Sequence, residues 1–281
     1  MNEITSDLRI ILCSAVIGVR KMFRSAAFWL LALYTLMFWF LYAVGLREMA
    51  AEYGYGVTPF LLPLFFDDDI YGMYGQLMLC LVACNAPFLD RGSLFTLHRT
   101  GRTAWGIAQM IYIVLANIIF MAVMMVTQMI FLFPHLTFSS RWGSVLYTLA
   151  NLPEIRSKYG GYGSFEASII LGMNPTAALG MQLVLCLLLG SVIGALIFLI
   201  NGLTRSTFGG VVAVGCVIFT NWISWGMEVR YVSPFEWMKL SNYLNGVYDF
   251  KTNVIRLALM FAVLAVACCV CVKRQWIRTT D

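Results

Sequence analysis

The chain has 281 residues, of which 60% are hydrophobic and only 12% charged, with a net charge of +5. A soluble domain is about 45–50% apolar and about 25% charged, so a chain this poor in charge cannot cover a water-soluble globule of its size. The basic residues are scattered in short segments beside apolar runs, which points to a membrane surface and excludes a nucleic-acid partner.

Residues 6–25, SDLRIILCSAVIGVRKMFRS, come before the first long apolar run. At a helical step Leu8, Ile11, Leu12, Ala15, Val19, Met22 and Phe23 share one face, and Asp7, Ser14, Gly18, Lys21 and Arg24 lie opposite. Arg9 and Arg20 flank the stripe, where long side chains snorkel. The pattern predicts an amphipathic helix in the membrane interface, with Arg9, Arg20, Lys21 and Arg24 near anionic headgroups. Glu3 and Asp7 at the start, and a first apolar run long enough to cross and stay, argue against a cleavable signal peptide.

Six apolar runs of membrane-crossing length follow, at roughly 26–46, 71–89, 106–133, 177–203, 208–227 and 253–272. They are continuous rather than alternating, which argues against barrel strands. The expected fold is an all-α integral membrane protein: one domain over 1–281, with six transmembrane helices behind the N-terminal amphipathic helix.

The connections differ in character. Residues 47–70 end in Asp67, Asp68 and Asp69, which read as a solvated loop end, with cation attraction as the alternative. Residues 90–102, DRGSLFTLHRTGR, form a basic interruption between the second and third runs; Leu94, Phe95 and Leu97 there have something to press on only if a partner supplies it. Residues 134–176 are the longest polar segment, with KYGGYGSF at 158–165 flexible by composition. The link TRST, 204–207, forces a tight hairpin, and Gly190, Gly194, Gly209, Gly210 and Gly215 allow close backbone approach. Residues 228–251 are too aromatic for a solvated loop and too polar to span; they predict a re-entrant or interfacial helix pair before the sixth helix.

Six spans place both termini on one side. Eleven Lys and Arg flank that side in short segments, against eight in the longer loops opposite, which makes the termini and residues 90–102 cytoplasmic. Trp29, Trp39, Trp105, Trp222, Trp225 and Trp276 lie near span ends, as interfacial anchors do. Seven of the eight cysteines lie in spans and read as small apolar packing.

The span cores carry no Asp, Glu, Lys, Arg or His, although an ion-coupled carrier usually retains one. Their neutral polar residues include Gln76, Asn85, Asn117, Gln128 and Asn221, candidates to line a translocation path and equally suited to interhelical hydrogen bonds. His98 and His135 fall on opposite sides of the membrane, and no G-x-S-x-G or H-E-x-x-H occurs. No Gly-Lys dipeptide exists, so no Walker A loop is present. The expectation is a chain without catalytic, cofactor or metal sites, whose energy for uphill transport would come from another chain.

This layout resembles the permease subunit of ABC-2 type ABC transporters. The basic amphipathic helix, the six spans, the charged segment APFLDRGSLFTLHRTGRTAWGIAQ, the short link after span four and the aromatic stretch YVSPFEWMKLSNYL before span six carry the resemblance, which covers nearly the whole chain. The longer second outer loop departs from the family pattern. The resemblance implies that residues 90–103 form a coupling helix docking on an ATPase subunit, through Asp90, Arg91, Leu94, Phe95, Leu97, His98, Arg99 and Arg102. It also implies a second permease subunit, identical or homologous, with ATP and Mg held by the partner ATPases. The setting would be the plasma membrane of a bacterial cell, and the activity export of a hydrophobic or amphipathic substrate such as a drug, antimicrobial peptide or lipid. The alternatives are a stand-alone secondary transporter or channel, marked by transport without ATP, and a non-transporting scaffold or sensor, marked by a partner ATPase that no substrate stimulates.

Overall fold

A computed structural model describes residues 2–84, 86, 101–159, 166–204, 206–227, 233 and 236–274, without the side chains of 2–7, 225 and 227. Among the described residues the regular structure is helical, apart from one isolated bridge between Val57 and Leu136. The helices, in chain order, are α1 (Asn2–Arg24), α2 (Ala26–Tyr53), α3 (Leu62–Asp67), α4 (Asp69–Ala83), α5 (Arg102–Leu132) and α6 (Gly143–Asn151). They continue as α7 (Pro153–Tyr159), α8 (Ala167–Gly172), α9 (Pro175–Thr204), α10 (Phe208–Met227), α11 (Leu240–Leu244) and α12 (Phe250–Arg274).

Four helices, α2, α5, α9 and α12, are long and apolar enough to cross a membrane. The chain is an all-α, multi-pass membrane protein. Helix α4 has 15 residues, and at 1.5 Å per residue covers only about 22 Å of a hydrocarbon core about 30 Å thick. Helix α10 has 20 residues, with its apolar part at Phe208–Ser224.

Helix α1 meets α2 at an elbow. Ser25 leaves the helical region (φ −79°, ψ 132°) and its hydroxyl accepts from Ala27 N–H at 3.2 Å, capping α2. Trp29 Nε1 donates across the elbow to Phe23 O at 3.0 Å. Ala15, Val19 and Met22 of α1 pack against Tyr112 and Ala116 of α5. Gly18, expected on the polar face, is instead part of this contact: a Cβ there would lie 2.6 Å from the Tyr112 ring. Leu8, Leu12 and Phe23 of the expected stripe stay exposed, and Ile11 is half-buried. The inward face of α1 was therefore chosen by close fit to Tyr112, which hydrophobicity alone does not report.

The main core gathers α2, α3, α4, α5 and α9. Trp39, Tyr42, Phe65 and Tyr71 form an aromatic cluster, with the tilted rings of Trp39 and Phe65 4.8 Å apart and Tyr42 edge-on to Tyr71 at 5.0 Å. Trp39 is fully buried and its Nε1 donates to Met124 O at 3.0 Å. Trp105 is buried as well, beside Phe198, Cys268 and Val272. These two tryptophans are core residues, contrary to the expected interfacial role; a buried acceptor or apolar cluster serves the indole better than the headgroup region. Trp29 and Trp222 are exposed as expected; the side chains of Trp225 and Trp276 lie outside the described residues.

Much of the expected polar loop 134–176 is ordered into α6, α7 and α8. It has its own apolar residues: Trp142, Leu146, Leu149 and Ile169 are completely buried. Trp142 Nε1 donates to Met173 O at 2.7 Å, and Thr58 Oγ1 donates to Trp142 O at 2.8 Å. Val57 N–H donates to His135 O and Thr137 N–H to Val57 O, clamping this cap to the segment after α2. Residues 160–165 of the expected flexible stretch lie outside the described residues.

Candidate functional site

Helix α2 turns two faces to different surroundings. Thr35, Phe38, Trp39, Tyr42 and Leu46, which share one face at a helical step, enter the core. Leu30, Leu33, Met37 and Phe40 on the other side stay exposed. These exposed residues form one wall of a crevice of about 1200 Å³. Gln109, Tyr112, Phe120 and Phe131 of α5 form the facing wall, and Leu81 and Val82 of α4 the floor. Ser14, Gly18 and Lys21 of α1 close one end, together with Ser25. Arg47 stands at the other end, its guanidinium carbon 5.6 Å from the Phe131 ring centroid. From Ser25 to Arg47 the helical rise is about 33 Å, so the crevice runs the depth of a hydrocarbon core.

The electrostatics of the lining are one-sided. Among the described residues its charged groups are Lys21 and Arg47, one at each end, and no carboxylate lines it. Polar groups cluster toward Lys21: Ser14, Ser25 and Gln109. Gln109 Oε1 is buried and has no hydrogen-bond partner.

A second polar assembly sits at the opposite end of the bundle from the α1–α2 elbow. Asp67 and Asp68, expected to be solvated, are buried. The reason is that each is used. Asp68 Oδ1 accepts from Ile70 and Tyr71 N–H at 2.9 Å, capping α4. Asp67 Oδ1 accepts from Ser241 N–H and Ser241 Oγ, both at 2.9 Å. Lys239 Nζ joins Asp69 at 2.5 Å and Glu236 at 2.8 Å, and Asn242 Nδ2 donates to the Glu236 carboxylate at 2.9 Å. Burial opposes the Lys239 charge, but its hydrogen bonds to Asp69 and Glu236 outweigh it and hold the ammonium above its ordinary pKa. Burial pushes the Asp67 carboxyl up to about 6, against the bonds from Ser241 and the charge of Lys239. The described part of the expected re-entrant segment 228–251 thus docks on Asp67 and Asp69 through α11 and the turn before it.

The candidate residues named from sequence are distributed as follows. Arg9, Arg20, Lys21 and Arg24 are exposed on α1. Asp90, Arg91, Leu94, Phe95, Leu97, His98 and Arg99 lie outside the described residues, as does Asn85. Arg102 opens α5, and its guanidinium donates to Lys273 O at 3.3 Å in the last turn of α12. Gln76, Asn117, Gln128 and Asn221 are fully buried, and none lines the crevice. Gln76 Nε2 contacts Met238 Sδ at 3.4 Å, Asn117 Nδ2 donates to Ile113 O at 3.0 Å, and Asn221 Oδ1 accepts from Ser233 Oγ at 2.8 Å. Neither polar atom of the Gln128 side chain has a partner. Gln109, one of the neutral polar residues the sequence offered for a path, does line the crevice, whereas sequence reasoning passed over Tyr34 there and the Asp69–Lys239 pair; the pair joins residues 170 positions apart, with no local signal. Among the described residues no group of His, Cys, Asp and Glu is placed to hold a metal ion.

The chain matches no protein-family model, no curated protein and no solved structure.

Proposed function

We propose that this chain is the membrane subunit of an ATP-driven exporter of the ABC-2 type, moving a hydrophobic or amphipathic substrate. In this reading α2, α4 with the apolar residues that follow it, α5, α9, α10 and α12 make six crossings. Both termini face the cytoplasm at the plasma membrane, and residues 228–251 dip back from the outer face. Residues 90–103 dock on a separate ATPase that holds ATP and Mg, and a second permease subunit, identical or homologous, completes the pathway.

The observation that carries the reading is the crevice between α2 and α5. It has membrane depth, an apolar wall on each side and, among the described residues, charge only at its ends, the features a passage for an amphiphile requires and a passage for a small ion does not. The absence of a Walker A loop in the sequence leaves the energy to a partner.

The test is purification from the native membrane in mild detergent, followed by identification of bound chains and reconstitution. An ATPase that co-purifies, and whose hydrolysis no longer drives transport in Phe95→Asp although the variant inserts normally, is the expected result. ATP-driven transport unchanged in Phe95→Asp, or substrate movement by the chain alone without ATP, would overturn it.

A further inference from the structure

We propose that the turn after α5 is a membrane-surface anchor: Phe133 and Phe138 enter the boundary between acyl chains and headgroups at the end of the bundle away from the α1–α2 elbow. The proposal rests on the chain crossing a bilayer and not on the exporter reading.

Level comes first. Helix α5 is long and apolar enough to cross a membrane, and it ends at Leu132. Near that end the Arg47 guanidinium carbon lies 5.6 Å from the Phe131 ring centroid. A guanidinium is costly in hydrocarbon and snorkels to the interface, so Phe131 marks the level where the hydrocarbon stops. Phe133 follows two residues later, no more than about 7 Å along the chain. His135 N–H then donates to Leu132 O at 2.9 Å, a turn whose ends stay within about 7 Å of each other. The chain therefore turns at the membrane surface instead of leaving it.

Exposure and rigidity come next. Phe138 is 77% exposed and Phe133 69%. Val57 N–H donates to His135 O at 2.8 Å and Thr137 N–H to Val57 O at 3.0 Å, and a Cβ on Gly56 would strike the Thr137 side chain. Val57 is buried, so the inward side of this clamp is filled and Phe138, next to Thr137, is held outward. The end of α2, which leads into the clamp, adds the exposed rings of Tyr53 and Tyr55. An exposed apolar patch of this kind marks a protein or a membrane partner.

Composition and level select the membrane. Thr137, Ser139, Ser140 and Arg141 flank Phe138 and are exposed. Rings set among hydroxyls and one cation suit the interface, where the rings meet acyl chains and the polar groups meet phosphates and water. A protein partner would need the patch to stand clear of the bilayer, and the turn keeps it at the surface. The anchor also reaches the cap, because Trp142, shortly beyond Phe138, is fully buried and its carbonyl accepts from Thr58.

The test places the full chain in nanodiscs of phosphatidylcholine brominated along its acyl chains and follows the fluorescence that Phe138→Trp adds to wild type. Glu154→Trp, at an exposed position of α7, is the aqueous comparison, and Phe133→Trp repeats the test at the second ring. The emission added at 138 and at 133 should be lost in brominated lipid, shifted to shorter wavelength and shielded from acrylamide, and that of Glu154→Trp should show the reverse. Acrylamide quenching at 138 as strong as in Glu154→Trp would overturn the proposal, because the ring then faces water. Shielding from both quenchers would overturn it as well and assign the patch to a protein partner such as a second copy.

Discussion

Asn201 holds the exit of α4: its side-chain amide donates to the carbonyl oxygen of Cys84 at 3.2 Å and to that of Ala86. Its Oδ1 accepts from Gly209 N–H at 2.6 Å. One buried side chain therefore ties the end of α4 to the hairpin of α9 and α10. Gly209 must be glycine, since a Cβ would lie 2.6 Å from Asn201 Oδ1 and 2.7 Å from Ile197 O. On the far side of residues 87–100, Arg102 is tied to α12 through Lys273 O. A force applied to the intervening segment thus reaches two different parts of the bundle.

Replacing Asn201 with Leu should break this tie. The Gly209 N–H loses its acceptor, at a cost of about 1–3 kcal/mol for a buried unsatisfied group. The expected outcome is a lower thermal midpoint in detergent and faster maleimide labelling of Cys84. Labelling of Cys84 at the wild-type rate would show that the tie does not hold the end of α4.

Gly190 and Gly215 look equivalent in sequence, each a small residue in an apolar run, but their surroundings differ. A Cβ on Gly190 would meet Asn117 Oδ1 at 2.5 Å and Leu79 at 3.1 Å, whereas nothing lies within 4 Å of one on Gly215. Gly190→Leu should destabilise the bundle by about 1–3 kcal/mol, the usual penalty of overpacking, while Gly215→Ala should stay within about 0.5 kcal/mol of wild type. Thermal unfolding followed by intrinsic fluorescence distinguishes the two.

That contrast marks the limit of what composition and pattern convey in a membrane chain. The positions of α2, α5, α9 and α12 were legible, because a long apolar run has few other uses. Which side of each helix faces protein was not, because lipid and interior are equally apolar. Trp39 and Trp105 were misplaced for this reason, and so was Gly18. Asp67 was misplaced for another: its partner Ser241 comes from a segment far away in sequence. The crevice was the least legible feature, since it is defined by where helices fail to touch.

The Lys239 pair with Glu236 is the buried member of the network around Asp67 and Asp69, with side chains 10% and 6% exposed. Lys239→Met removes the cation and strands the Glu236 carboxylate, which should cost about 3–5 kcal/mol, as when one partner of a buried pair is deleted. Adding Glu236→Gln should recover much of the loss, because the amide is neutral and its oxygen still accepts from Asn242. Limited proteolysis of the segment around α11 and thermal unfolding are the readouts. A double variant as unstable as Lys239→Met would show that the loss comes from packing.

Asp67 supplies a pH dependence with a definite sign. Its carboxyl is held at about 6 in the fold against an ordinary 3.8, chiefly by burial, with Glu166 raising it further and Ser241 and Lys239 opposing. A carboxyl with a raised pKa binds its proton more tightly in the folded state. It contributes stability that is complete below about pH 4 and is lost as the pH rises through about 6. The difference between 3.8 and about 6 corresponds to about 3 kcal/mol at most. Asp67→Asn keeps an oxygen to accept from Ser241 N–H and Oγ but cannot ionise. Thermal midpoints of wild type should therefore fall, relative to those of Asp67→Asn, between pH 4 and pH 7. Parallel pH profiles for the two proteins would show that Asp67 is ionised throughout and that its burial is compensated by Lys239.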